Sequence, residues 1–169
     1  MPDTFIKIAS VTVGSGGAAS IEFTSIPSTY TDLVLKLSAR GTNAAVSIAP
    51  ILYFNNDTSA GSFRSLVGNG SVASSSNASG YIDAGVIPSA NATSSTFGNF
   101  ELYIPNYAGS TNKSVSSDSV TENNATEAYT NLRALLWSNT AAVNAIKFTL
   151  GAGNYAQYST ATLYGIKNS

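Results

Sequence analysis

The sequence predicts an all-β fold: a single β-sandwich of about ten strands spanning residues 1–169. Three observations predict it. Short runs of alternating or β-branched residues recur along the whole chain. Clusters of Gly, Asn, Pro and Ser separate them at the spacing of a sandwich or barrel. No long stretch carries the 3.6-residue apolar period of an amphipathic helix, so no helix longer than two turns is expected.

Residues 4–13 (TFIKIASVTV) and 19–23 (ASIEF) flank the breaker GSGG and read as a hairpin. Residues 32–39 (DLVLKLSA) put Leu33, Leu35 and Leu37 on one face and Lys36 on the other, the period of a half-buried strand. Residues 49–54 (APILYF) end at the turn cluster Asn55-Asn56-Asp57, and residues 62–67 end at Gly68-Asn69-Gly70. The stretch 71–79 (SVASSSNAS) reads as a long surface loop, and 81–87 as a strand that stops at Pro88. Neither half of the chain supplies a core alone, so the Ser-rich stretch is not taken as a domain linker.

Residues 97–104 align Phe100, Leu102 and Ile104, and residues 113–122 are Ser-rich but extended. The run 128–137 fits helix or strand by apolar spacing. We read it as a strand, with Leu132, Ala134 and Leu136 alternating with Arg133, Leu135 and Trp137. Residues 145–150 and 159–166 close the chain around Gly151-Ala152-Gly153-Asn154. The expected core is Leu33, Leu35, Leu37, Phe100, Leu102, Ile104, Leu132, Leu136, Ile146, Phe148 and Leu163.

A chain of 169 residues suffices for one domain, which at this size buries roughly 70% of the surface its unfolded chain exposes. It has no cysteine, so neither disulfides nor thiolate metal sites are expected. It has no histidine, which removes the commonest general base, metal ligand and pH switch. Charged residues make up 10%, against roughly 25% in average soluble domains. Net charge is −1 and the eight basic groups are scattered, which argues against a phosphate-neutralising nucleic-acid surface. The N-terminus, MPDTFIKIAS, lacks the basic and apolar regions of a signal peptide, and no window approaches a membrane span. A surface of hydroxyls and amides hydrogen-bonds neighbours well and repels them weakly.

Chemistry finds little to use. Asp118 and Glu122 are the close carboxylate pair, but at i and i+4 on a strand they lie roughly 13 Å apart, beyond either glycosidase geometry. They read as solvated or interface acids. Residues 55–62 (NNDTSAGS) gather oxygen donors, yet lack the charge density of a calcium loop, and an Asx-turn is the simpler reading. No GxSxG elbow or SxxK motif accompanies the many hydroxyls, and GSGG lacks the Lys-Ser/Thr ending of a phosphate loop. The sequons at Asn56, Asn69, Asn77, Asn91, Asn112 and Asn124 are what chance produces in so Asn-, Ser- and Thr-rich a chain. Tyr103, Tyr107, Tyr155 and Tyr158 lie near turns. They suit core or interface positions first and sugar stacking second. The expectation is therefore no catalytic, cofactor-binding or metal-binding residue, no cofactor and no enzyme.

Four segments carry a resemblance: SVTVGSGGAASIEFTSIPSTYTDLVLKLSAR (10–40), YIPNYAGSTNKSVSSDSVTENNAT (103–126), LLWSNTAAVNAIKFT (135–149) and YSTATLYGIKNS (158–169). Together they resemble a family of small virion structural proteins of tailed bacteriophages, including cyanophages. The resemblance implies a phage structural protein and brings no catalytic residues. The expected role is a capsid decoration, or cement, protein. It would be a jelly-roll-like sandwich and a homo-oligomer, expected as a trimer, made in the host cytoplasm and bound outside the major capsid protein shell. One compact chain beginning at Met1 without a fibrous stalk fits this expectation. Residues 113–122, poor in guarding lysines, are expected to form the strand edge that a neighbour covers. The alternative is a tail-fibre or receptor-binding module that reads host polysaccharide. A carbohydrate-active enzyme ranks last.

Overall fold

The computed structural model describes residues 4–122, 124 and 126–167. They form an all-β domain of fourteen strands in three sheets, without a helix. In chain order the strands are β1 (Phe5–Thr12), β2 (Ser20–Phe23), β3 (Asp32–Ala39), β4 (Ser47–Ile48), β5 (Pro50–Phe54), β6 (Gly61–Gly68) and β7 (Ala73–Ser79). They continue with β8 (Ile82–Asp83), β9 (Ile87–Pro88), β10 (Gly98–Ile104), β11 (Lys113–Glu122), β12 (Ala128–Trp137), β13 (Ile146–Leu150) and β14 (Thr160–Ile166). The count exceeds the expected ten because β4, β8 and β9 are two-residue ladders, too short to leave a periodic signal.

An eight-stranded sheet runs β1-β14-β3-β10-β11-β12-β6-β7, every pair antiparallel. A four-stranded sheet, β2-β13-β5-β8, lies over its inner face, and the β4-β9 ladder stands beside it. The layers meet through large side chains. Phe100 on β10 packs edge-on to Phe148 on β13 at 5.6 Å, and Trp137 on β12 meets Phe54 on β5 at 5.5 Å. Leu35 pairs with Leu102 on one side and Leu163 on the other, and all three are fully buried. Each such side chain contributes about 1.5–3 kcal/mol relative to exposure. Leu33, Leu37, Ile104 and Ile146 join them, as the alternation of their strands predicts.

Four expectations are corrected. The β12 face is inverted. Asn131, Arg133, Leu135 and Trp137 point inward, while Leu132 is 53% exposed and Leu136 is half-buried. Trp137 packing on Phe54 fixes the parity of the whole strand, because side chains alternate with period 2. Second, β1 and β2 do not form a hairpin. β1 pairs with β14 and β2 with β13, in different sheets. Gly16 and Gly17, at φ +94° and +78°, carry the chain from one layer to the other. Third, residues 73–79 are a strand rather than a loop, joined to β6 by an Asx-turn in which Asn69 Oδ1 accepts from the Ser71 and Val72 amides. The run 81–87 is correspondingly broken into β8 and β9 by residues 84–86. Fourth, β11 is not an edge but lies between β10 and β12.

The inverted face is directly testable by chemical denaturation. Leu35→Ala is expected to cost about 2–5 kcal/mol, and Leu132→Ala less than about 0.5 kcal/mol. The reverse order would place the Leu132 face inside.

Candidate functional site

The serines of β11 stand at the centre of the site. Lys113, Val115, Ser117, Ser119 and Thr121 point inward, and Ser114, Ser116, Asp118 and Val120 point out. The inward hydroxyls have a task. Ser117 Oγ donates to the Ala84 carbonyl, and Ser119 Oγ accepts from the Val86 amide at 3.1 Å. They satisfy residues 84–86, which cross the inner face outside any strand. Without these side-chain partners that backbone would be buried unpaired, at about 1–3 kcal/mol per group. At the far end Lys113 is buried, donates to the Gly109 carbonyl at 2.8 Å and to that of Thr111, and lies 5.8 Å from the Trp137 ring centre. Burial pushes its pKa down.

Arg133, on the next strand, fastens the same segment. Its Nη1 lies 2.5 Å from the Asp83 carboxylate and donates to the Asp83 carbonyl at 3.2 Å, and its guanidinium sits 5.2 Å from the Phe63 ring centre. Burial pushes the Asp83 carboxyl pKa up, opposed by Arg133. Beyond this pair the inner face is polar, with Ser65, Thr121 and Asn131 buried on it. A cleft of 450 Å³ opens there between β6, β11 and β12 on one side and Val46, Ser47 and Val86 on the other. Thr121 Oγ1, both polar atoms of the Asn131 amide and Arg133 Nε are buried with no hydrogen-bond partner within the protein. Nothing in the spacing of the sequence marks these three residues.

The outer face over β7, β6, β12 and β11 has a different character. A groove of 780 Å³ runs across it, floored by Leu66, Leu132 and Ala134 and flanked by Arg64 and Asp118. Leu66 and Leu132 are register partners and both are more than half exposed. The groove ends at β7, the outermost strand. Its seven residues hold no Lys and no Pro, and its register with β6 is unbroken. The opposite edge, β1, carries Lys7 and a bulge between Lys7 and Ala9, two recognised guards. The edge expected at 113–122 is thus internal, and the edge that lacks these guards is β7, three strands away in the same sheet.

The other sequence candidates separate cleanly. Asp118 and Glu122 both lie on the outward parity of β11. Asp118 stands opposite Leu132 and Glu101, whereas Glu122 accepts from the Thr93 amide at 2.8 Å. The oxygen-rich turn 55–62 is stapled by protein donors. Asp57 Oδ1 accepts from the Ser59 and Ala60 amides, and Oδ2 from Trp137 Nε1 at 2.9 Å and Asn139 Nδ2 at 3.3 Å. Of the four tyrosines, Tyr107 and Tyr155 are fully buried, Tyr103 donates to Asp32 at 2.8 Å, and only Tyr158 is widely exposed. Among the described residues no group of three or more His, Cys, Asp or Glu gathers as a metal set, and no helix is long and apolar enough to cross a membrane.

Comparison with protein-family models, with curated proteins and with solved structures finds no match.

The Asp57 staple sets a pH dependence. The Ser59 amide, then Trp137 and the remaining donors, hold its carboxyl well below the usual range. A depressed folded-state pKa gives stability that is present above the unfolded value of about 3.9 and is lost as pH falls below it. The melting temperature is therefore expected to drop steeply from about pH 4 toward pH 2, and less steeply in Asp57→Asn. At pH 7 Asp57→Ala is expected to cost about 1–3 kcal/mol, since it strands the buried Trp137 N–H. Identical pH profiles for the wild type and Asp57→Asn would contradict the assignment.

Proposed function

We propose that this chain is a bacteriophage virion structural protein, a non-enzymatic capsid decoration protein that binds the outside of the major capsid protein shell. In this reading the layered sheets are a jelly-roll-like sandwich, and the protein works as a closed homotrimer. The observation that carries the reading is the β7 edge: five polar residues and two alanines with a free row of backbone groups and none of the guards that β1 possesses. An isolated protein that kept such an edge in solution would invite uncontrolled strand pairing. A neighbour that always covers the edge removes the hazard.

The apolar pair Leu66 and Leu132 beside the edge extends the same contact, and a net charge of −1 gives little electrostatic protection against association. A cyclic trimer uses head-to-tail contacts, so β7 of one copy meets a different surface of the next. Capsid threefold positions match that symmetry. Few charges take part, so the assembly withstands moderate salt.

Mass measurement in solution tests the edge. The wild type is expected at three times the 17.4 kDa chain mass. The double variant Ser75→Lys, Asn77→Lys should be monomeric with an unchanged circular dichroism spectrum, because lysines guard an edge without unfolding it. A monomeric wild type would contradict the reading. Particles lacking the protein are expected to assemble but to break at lower temperature. If they are equally robust and only fail to adsorb to host cells, the tail-fibre reading replaces this one.

A further inference from the structure

The cleft beside Arg133 presents an unusual surface. Asn131 is only 1% exposed, yet neither its carbonyl nor its amino group has a partner in the protein. The Thr121 hydroxyl and Arg133 Nε share that condition and line the same cleft. Orphaned buried polar atoms are rare in native proteins, and each costs stability. Four of them, on three residues that line one opening, indicate that the cleft is built for an occupant rather than for a close-packed core.

The chemistry of that occupant follows from what is already paired. The guanidinium of Arg133 is neutralised by Asp83 at 2.5 Å, and the Glu122 carboxylate accepts from Thr93 N and Oγ1. Glu122 keeps its charge, but its carboxylate oxygens are already engaged by the Thr93 amide and hydroxyl and by the Asn124 amide. What remains is an amide offering a donor and an acceptor side by side, a hydroxyl that can do either, and one further N–H donor. Val46, Val67 and Val86 supply an apolar wall, and Tyr129 lines the cleft as well. A neutral ligand with adjacent hydroxyls on one edge and C–H groups on a face fits this set. The 450 Å³ volume falls within the range of about 300–1,000 Å³ of small-molecule sites.

We propose that the cleft is a binding site for a single neutral sugar ring, in which the Asn131 amide engages two neighbouring hydroxyls and Thr121 and Arg133 Nε engage others. Oδ1 accepts from one hydroxyl while Nδ2 donates to the oxygen of the next. The site adjoins β7 through Ser76 but does not use that strand's open backbone edge, and it does not rest on the virion reading. It also differs from stacking on the exposed tyrosines, since it works through a buried amide.

The experiment is a two-dimensional ¹⁵N nuclear magnetic resonance titration with D-glucose, D-galactose, D-mannose and N-acetyl-D-glucosamine. Each sugar is raised to about 100 mM, well above the millimolar Kd of a weak single-ring site. At least one is expected to give saturable shifts at the Asn131 side-chain amide and at Thr121, with none on the outer face around Leu66. Asn131→Leu should reduce affinity about tenfold or more while leaving the melting temperature equal or higher, because it removes an unpaired buried amide. Thr121→Val, close in shape, should weaken binding several-fold and serves if the first variant misfolds. Absence of saturable shifts with all four sugars would mean that the cleft holds water alone. Shifts that persist unchanged in both variants would place binding elsewhere. Either result overturns the proposal.

Discussion

Eight strands are covered by four, and most other features follow from that mismatch. The four-stranded sheet lies over the apolar side of the large sheet, where β14, β3 and β10 present Leu and Phe. Toward β6 and β12 it makes contact through Phe54 on Trp137 and through the two-residue β8. Phe63, Val115, Leu135 and Trp137 are apolar inward positions of these strands, and Ser117, Ser119, Thr121, Asn131 and Arg133 take other inward positions. Residues 84–86 complete the cover as irregular backbone, and the serines meet its polar groups. The remaining gap is the cleft, and the last uncovered element is the β7 edge.

The Arg133–Asp83 pair holds the boundary between the apolar and polar halves. Its net contribution to stability is expected to be modest, because desolvating two charges offsets much of their attraction. Its value lies in register. A slip of one residue would send Arg133 outward and bring Leu132 in, leaving Asp83 buried without its cation. The Trp137–Asp57 contact reinforces the same parity at the other end of β12. Two polar contacts thus specify the orientation of a strand whose apolar residues occupy both faces.

This explains what the sequence could and could not disclose. The limits of β3, β11 and β12 match the runs read from alternation, since turn residues bracket each of them. The face of β12 was not legible, because Leu132 and Leu136 compete with Leu135 and Trp137 on apolarity alone. β7 was missed because Ser, Ala and Asn have loop composition, and only pairing with β6 makes them a strand. The β1–β2 turn signal was real, but a glycine turn looks the same whether it joins neighbours or crosses between layers. The cleft residues come from separate strands and share no motif, so the site appears only once β11 and β12 are side by side.

The account rests on β7 being covered in the working assembly. Amide hydrogen exchange over residues 73–79 tests this most directly, comparing the monomeric Ser75→Lys, Asn77→Lys variant with the wild-type protein on purified particles. An edge strand leaves every second amide open to solvent, so rapid exchange is expected in the monomer. On the particle those same amides should become strongly protected while β11, already internal, changes little. Equal exchange of β7 in both states would show that the edge stays bare, and the assembly reading would fail.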